Sequence, residues 1–340
     1  MRGIHLRWPQ PNPIIVRELR TRMRGVRPYA ILTIFLAALS LAGYGIYQLM
    51  LQQTRFGVMV LSAQVGQALF NGLTLCGLLL VVFLAPAMTS GSISGEREQL
   101  TYDMLMATPL APGRLLWGKL IAALSYLFML IVAAIPIFSV VLIFGGVEPK
   151  ALLKAMALLV ITTVFCGTLG LFCSSLFRRT AAATVVSYTL ILLLIGATAL
   201  LGAVWGQFST PLGQQVPPWL LYLNPFTALS SITALAPRND GTIFFGDGNP
   251  FSWLPFAVAF GPGAIYYGPN GAVVVPIFRA TLVCYASLTL LLCWAASHLV
   301  LPRRRMLPRW GDLSFLVLAA GAGLVFWLSR GWWLVLPPTN

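Results

Sequence analysis

Charge is what this chain has least of. Charged residues fill 9% of its 340 positions and hydrophobic ones 58%. A soluble globular chain carries roughly 25% charged residues and about half apolar ones. Only 8 residues are acidic, and none falls within the long apolar runs. Ion-coupled carriers and proton relays normally place a carboxylate in the bilayer, so they are disfavoured. The two histidines, His5 and His298, have no carboxylate cluster beside them, which disfavours zinc proteases and paired-carboxylate hydrolases. Cys76, Cys166, Cys173, Cys284 and Cys293 lie inside apolar runs, not at metal-ligand or disulfide spacing, and read as packing residues. No small-x-small cleavage site follows the first apolar block before Tyr44 and Gln48, which argues against a cleaved signal peptide. Alternating strands of about ten residues are missing too, which excludes a β-barrel.

Long apolar runs are present instead. Six blocks, 29–50, 68–89, 117–143, 152–176, 181–205 and 273–301, are each long enough to cross a bilayer as a helix. A seventh, 313–336, is interrupted by Arg330. The expected fold class is an all-α polytopic membrane protein.

The net charge of +14 is unevenly spread. Seven arginines (Arg2, Arg7, Arg17, Arg20, Arg22, Arg24, Arg27) precede the first block. Arg97, Arg114 and Lys119 lie between blocks two and three, Arg178 and Arg179 between four and five, and Arg303, Arg304, Arg305 and Arg309 after six. The alternate loops hold Arg55, Lys150, Lys154 and Arg238, which makes 16 basic residues against 4. That bias places the N-terminus in the cytoplasm. Anionic headgroups of the bilayer, and not nucleic acid, are the partners such rims imply.

Three segments between the blocks have structure of their own. Asn12-Pro13 opens an amphipathic helix, with Ile15, Leu19, Met23 and Val26 on one face and Arg17, Arg20, Arg24 and Arg27 on another. After block two, Ser94 is the expected N-cap of a helix over 95–107, ended by Pro109. Glu96 and Glu98 lie in its first turn, and Leu100, Met104 and Leu105 form its apolar face. Region 206–272 is rich in proline, glycine and aromatics; its two apolar pieces, 219–236 and 251–267, read as re-entrant or surface-lying helices on the outer side. Residues 113–119 match G-x-x-x-x-G-K. Leu120 replaces the Ser or Thr a phosphate-binding loop needs, and no strand precedes it.

The stretch Ala85–Glu98, Thr101–Leu110 and Gly118-Lys119 resembles the ABC-2 type of ABC-transporter permease. So do Asn12–Arg20, Leu176–Ala183 and Tyr222–Phe226, in the family's order over roughly residues 12–300. The resemblance implies six transmembrane helices in a type V-like exporter arrangement, here with a seventh span. Residues 1–28 would hold the cytoplasmic connecting helix (Arg17, Glu18, Leu19, Arg20, Arg24), 29–301 the transmembrane domain, and 302–340 a basic loop and the extra span. Helix 95–107 would be the coupling helix, with Glu96, Arg97, Glu98, Leu100, Asp103 and Met104 toward an ATPase. Asn224, Pro225 and Phe226 would belong to the external gate.

The resemblance thus implies a non-enzymatic permease subunit without a cofactor, in a prokaryotic plasma membrane. It would act with a second permease chain and two ATP-binding subunits that bind the ATP. A secondary transporter, a membrane-embedded enzyme and a scaffold that docks an ATPase without transport are the alternatives.

Overall fold

The computed structural model describes residues 25–55, 62–101, 112–209, 218–234, 265–268, 271–274, 276–299, 320–324, 327–328 and 330–333. In chain order the elements are α1 (Val26–Arg55), α2 (Ser62–Thr89), α3 (Ser94–Glu98), α4 (Pro112–Phe144), α5 (Pro149–Leu176) and α6 (Thr180–Ser209). Then follow α7 (Pro218–Tyr222), α8 (Pro225–Ala234), β1 (Ile265–Gly268), β2 (Gly271–Val274), α9 (Ile277–Leu299) and α10 (Arg330–Trp333). Six helices, α1, α2, α4, α5, α6 and α9, are long and apolar enough to span a membrane. Each coincides with one expected block, extended by a few residues at most ends, because a helix satisfies its own backbone wherever hydrocarbon offers no partner.

Burial sorts the six helices into a centre and a periphery. The apolar windows of α2 and α5 are 61% and 67% buried, against 17% for α1 and 28% for α6. Close approach at the centre depends on small residues: a Cβ on Gly170 of α5 would collide with the Thr89 hydroxyl and stand 3.2 Å from the Pro86 Cα of α2. Without a hydrophobic force between helices in lipid, such close packing drives association. Buried hydroxyls return to their own helix, as Thr74 does to the Phe70 carbonyl at 2.7 Å and Thr163 to that of Leu159 at 2.6 Å. Tyrosines tie elements together. Tyr126 donates to the Pro28 carbonyl at 2.6 Å, and Tyr285 stacks on Phe165 at 4.3 Å while donating to the Leu223 carbonyl at 2.9 Å.

Several expectations need correction. Val26 and Arg27 belong to the first spanning helix, not to the amphipathic one, because Gly25 turns the chain at φ +103° just before them. In region 206–272 the piece 219–236 forms two short helices, broken at Leu223-Asn224 ahead of Pro225. Ile265, Tyr266 and Tyr267, expected in a helix, lie in a strand paired with Ala272, Val273 and Val274, so a small antiparallel hairpin joins an otherwise helical fold. Residues 251–264 lie outside the described residues. Gly113 to Lys119, the phosphate-loop look-alike, is the first part of helix α4 and forms no loop.

Candidate functional site

The chain leaves α2 through a tight turn, Ser90 N donating to Pro86 O at 2.9 Å and Ser92 N to Thr89 O at 3.0 Å. It then enters α3, whose N-cap position is Ile93 and not the expected Ser94. Isoleucine has no oxygen to offer the orphan N–H groups that every helix start exposes. The cap comes from elsewhere in the chain: the buried Ser174 hydroxyl, in the last turn of α5, accepts from Ile93 N at 2.9 Å and Ser94 N at 3.0 Å. Ser94 Oγ turns back to the Ser90 carbonyl at 2.9 Å.

The other half of the exchange runs outward from α3. Arg97 Nη1 donates to the Ser175 carbonyl at 2.9 Å, satisfying one of the last carbonyls of α5. The Glu98 carboxylate accepts from Thr180 N at 2.9 Å and Thr180 Oγ1 at 2.8 Å, so it caps the N-terminus of α6, where the macrodipole favours negative charge. Glu98 lies beyond the spanning helix and is exposed. The Thr180 backbone bond, then its hydroxyl, hold its pKa below the usual carboxylate value, with the Arg179 charge adding to this. Lys119 of α4 is buried, donating to Glu96 Oε1 at 2.6 Å and to the Ser92 carbonyl at 2.9 Å. The Ser90 and Thr184 hydroxyls, 2.8 Å apart, add a second tie to α6. One turn of helix is thus bonded to α4, α5 and α6 and continuous with α2.

The expected continuous helix over 95–107 is not formed: α3 ends at Glu98. Thr101 N donates to Glu96 O at 3.0 Å and Leu100 N to Arg97 O at 3.3 Å. That is the bond pattern of a Schellman termination, with Leu100 in the left-handed position where glycine is usual. Its φ is +57°, and the side chain is 83% exposed. A branched side chain there costs about 1–2 kcal/mol, so Leu100 projects from a strained cap and is not part of a helix face. Asp103 and Met104 lie outside the described residues, as do Arg17, Glu18, Leu19, Arg20 and Arg24.

At the other end of the bundle, Asn224 is buried and fully used. Its Nδ2 donates to Ile195 O at 3.2 Å and Thr198 Oγ1 at 2.9 Å, and its Oδ1 accepts from Phe226 N at 3.0 Å. Asn224 therefore caps α8, Pro225 occupies the first helical position, and buried Phe226 packs inward. Asn224 thereby ties the junction of the two short helices to α6. Among the described residues no group of three or more His, Cys, Asp or Glu side chains comes together as a metal site.

Sequence reasoning missed Ser174, Thr180 and the partners of Lys119. A readable signal was the cluster of hydroxyl and basic residues over 174–180, placed between two apolar blocks.

Six apolar helices long enough to cross a membrane, with a short helix lodged among their ends and two short helices at the other end, define a polytopic membrane protein. Residues 13–301 match the family described as ABC-2 family transporter protein, and the chain belongs to that family. The family is a membrane transport component, and its permeases generally work with ATP-binding subunits. A similar curated protein is the uncharacterized membrane protein YdbK of Bacillus subtilis (strain 168), 32% identical over 131 residues. The match covers 34% of this chain and 52% of YdbK, so the chain spans about half the length of that relative.

Replacing Ser174 by alanine leaves two buried N–H groups without an acceptor, at a cost of about 1–3 kcal/mol. Hydrogen exchange at Ile93 and Ser94 should then quicken by about tenfold or more. Because the folded-state pKa of Glu98 is lowered, its cap on Thr180 is intact above the ordinary carboxylate range. It is lost as pH falls through the lowered value, and Glu98→Gln removes that dependence. Wild-type exchange rates at Ile93 and Ser94 in the Ser174→Ala protein would contradict the capping assignment.

Proposed function

We propose that this chain is the transmembrane permease subunit of an ATP-driven exporter, forming the translocation path with a second permease chain and driven by two separate ATP-binding subunits. The observation that carries this reading is α3. It is too short to be stable alone, since isolated helices below roughly 12 residues are marginal. Yet it is bonded to three spanning helices besides the one it follows. A partner pushing on such an element moves several helices together, which is what coupling to an external ATPase requires.

The charges of this element bond to the neighbouring helices. Glu96, Arg97 and Glu98 are engaged with Lys119, Ser175 and Thr180, which leaves Leu100 as the exposed apolar projection. Strained, exposed and apolar, Leu100 fits the role of an anchor filling a groove of the ATPase, with Met104 as the second anchor. Docking and transmission are then separable. Leu100→Ala with Met104→Ala should weaken ATPase capture by about 2 kcal/mol or more. Glu98→Gln should leave capture nearly intact while lowering substrate-stimulated hydrolysis, because the charge-assisted tie to α6 is weakened. Pull-down and hydrolysis in reconstituted membranes read both. Unchanged capture and stimulation in the double variant would remove this element from the mechanism.

The basic residues around α3 (Arg97, Lys119, Arg178, Arg179) support a cytoplasmic position for that end of the bundle by the positive-inside rule. A seventh crossing by 313–336 is supported by a contact: Arg279 Nη1, in the first turn of α9, donates to the Trp332 carbonyl at 3.1 Å. The chain leaves α9 at Leu299, about 30 Å away along the helix, so the intervening residues must return that distance. Cysteine labelling from outside should reach position 240 and a tag after Asn340, and should spare position 97. Labelling at 97 in intact cells would overturn the orientation.

A further inference from the structure

We propose that the rim formed by the first two turns of α5 and the first turn of α9 binds the headgroup of an anionic phospholipid. Two cations converge there on one buried ring: Lys154 Nζ lies 5.5 Å and Arg279 Cζ 5.8 Å from the centroid of Phe278. Arg279 also stacks over Trp332 at 5.1 Å. Neither α5 nor α9 has an acidic residue in its first turn. Arg279, in the first turn of α9, therefore sits near the positive end of a helix dipole, where a cation is disfavoured unless an anion is present.

Among the described residues, neither cation has a carboxylate within 4.0 Å, and Glu148, at the N-cap of α5, is exposed and makes no ion pair. Arg279 spends one donor on the Trp332 carbonyl, and its Nε is buried with no acceptor. Lys154 stands five residues into α5, about 7.5 Å below its start. A cation at that depth is costly without a counter-charge.

A phosphate answers each of these features. It supplies an anion to the start of α9, an acceptor for the remaining guanidinium donors of Arg279, and charge-assisted bonds to both cations. The surroundings favour a lipid as its source over a free anion. Leu153, beside Lys154, is 69% exposed and Trp332 is 49% exposed, so an apolar chain and an interfacial aromatic wall adjoin the charges as they do at a membrane surface. Such a headgroup would hold the 330–333 segment against α9 through Trp332. Sequence reading had counted Lys154 among the few basic residues of the sparse loops and had not separated Arg279 from its apolar block.

Native mass spectrometry of the full chain, titrated with phosphatidylglycerol or phosphatidylcholine in detergent, tests this. Wild-type protein should retain one slowly dissociating phosphatidylglycerol per chain that Lys154→Gln/Arg279→Gln binds about tenfold more weakly. Arg178→Gln/Arg179→Gln at the opposite end should keep it, and Lys154→Arg/Arg279→Lys should restore most of it. Matching elution profiles establish that each variant is folded. Equal retention by the Gln variant, equal retention of phosphatidylcholine, or full displacement by millimolar inorganic phosphate would each overturn the proposal.

Discussion

A helix that ends among other helices leaves N–H and C=O groups with neither water nor a ladder to bond them. The end of this bundle near residues 89–101 and 174–184 is organised around that constraint. Two chain reversals, the α2–α3 turn and the α5–α6 turn, supply each other's caps. Ser174 gives α3 the acceptor that Ile93 cannot, Arg97 takes up a carbonyl at the end of α5, and Glu98 closes the start of α6. Removing Ser174 leaves two buried N–H groups unpaired, which costs more than the bonds themselves contribute.

The same bonds make the element stiff in a useful way. Charge-assisted bonds from Lys119 to Glu96 and from Thr180 to Glu98 have little freedom to rearrange separately. Displacing α3 therefore displaces the ends of α4, α5 and α6 along with α2. Leu100 sits outside that network, held in the left-handed region by the Schellman bonds of its own backbone. On the proposed function this would divide the labour among neighbouring residues: an exposed apolar side chain would meet the partner, and the bonded charges would carry the movement.

Much of the fold was legible in the sequence because membrane spanning is a local property. The six runs needed only length and apolar composition, and the helices coincide with them. The existence of a short helix after α2 was also readable, from the acidic first turn and the prolines beyond. Its true cap was not. Ser174 lies 80 residues from Ser94, and nothing in a local window joins them. Its length was misjudged because Leu100 adopts a conformation that sequence rules reserve for glycine. The hairpin before α9 escaped notice for a related reason: Ile265-Tyr266-Tyr267 is as apolar as a helix segment, and only the pairing with 272–274 reveals a strand. Asn224 was noticed for its motif, but its hold on Thr198 of α6 required the structure.

The central claim is that α3 and the α5–α6 turn move as one body. Spin labels at Gln99 and Arg178, both exposed and outside the capping bonds, report the distance between them. Pulsed electron–electron resonance on the chain reconstituted with the ATP-binding subunit that the proposed function requires, with and without trapped nucleotide, measures that distance directly. The account predicts one narrow distribution, unchanged by nucleotide, that broadens when Glu98→Gln and Ser174→Ala are combined. A nucleotide-dependent shift between these labels in the otherwise wild-type protein would contradict it.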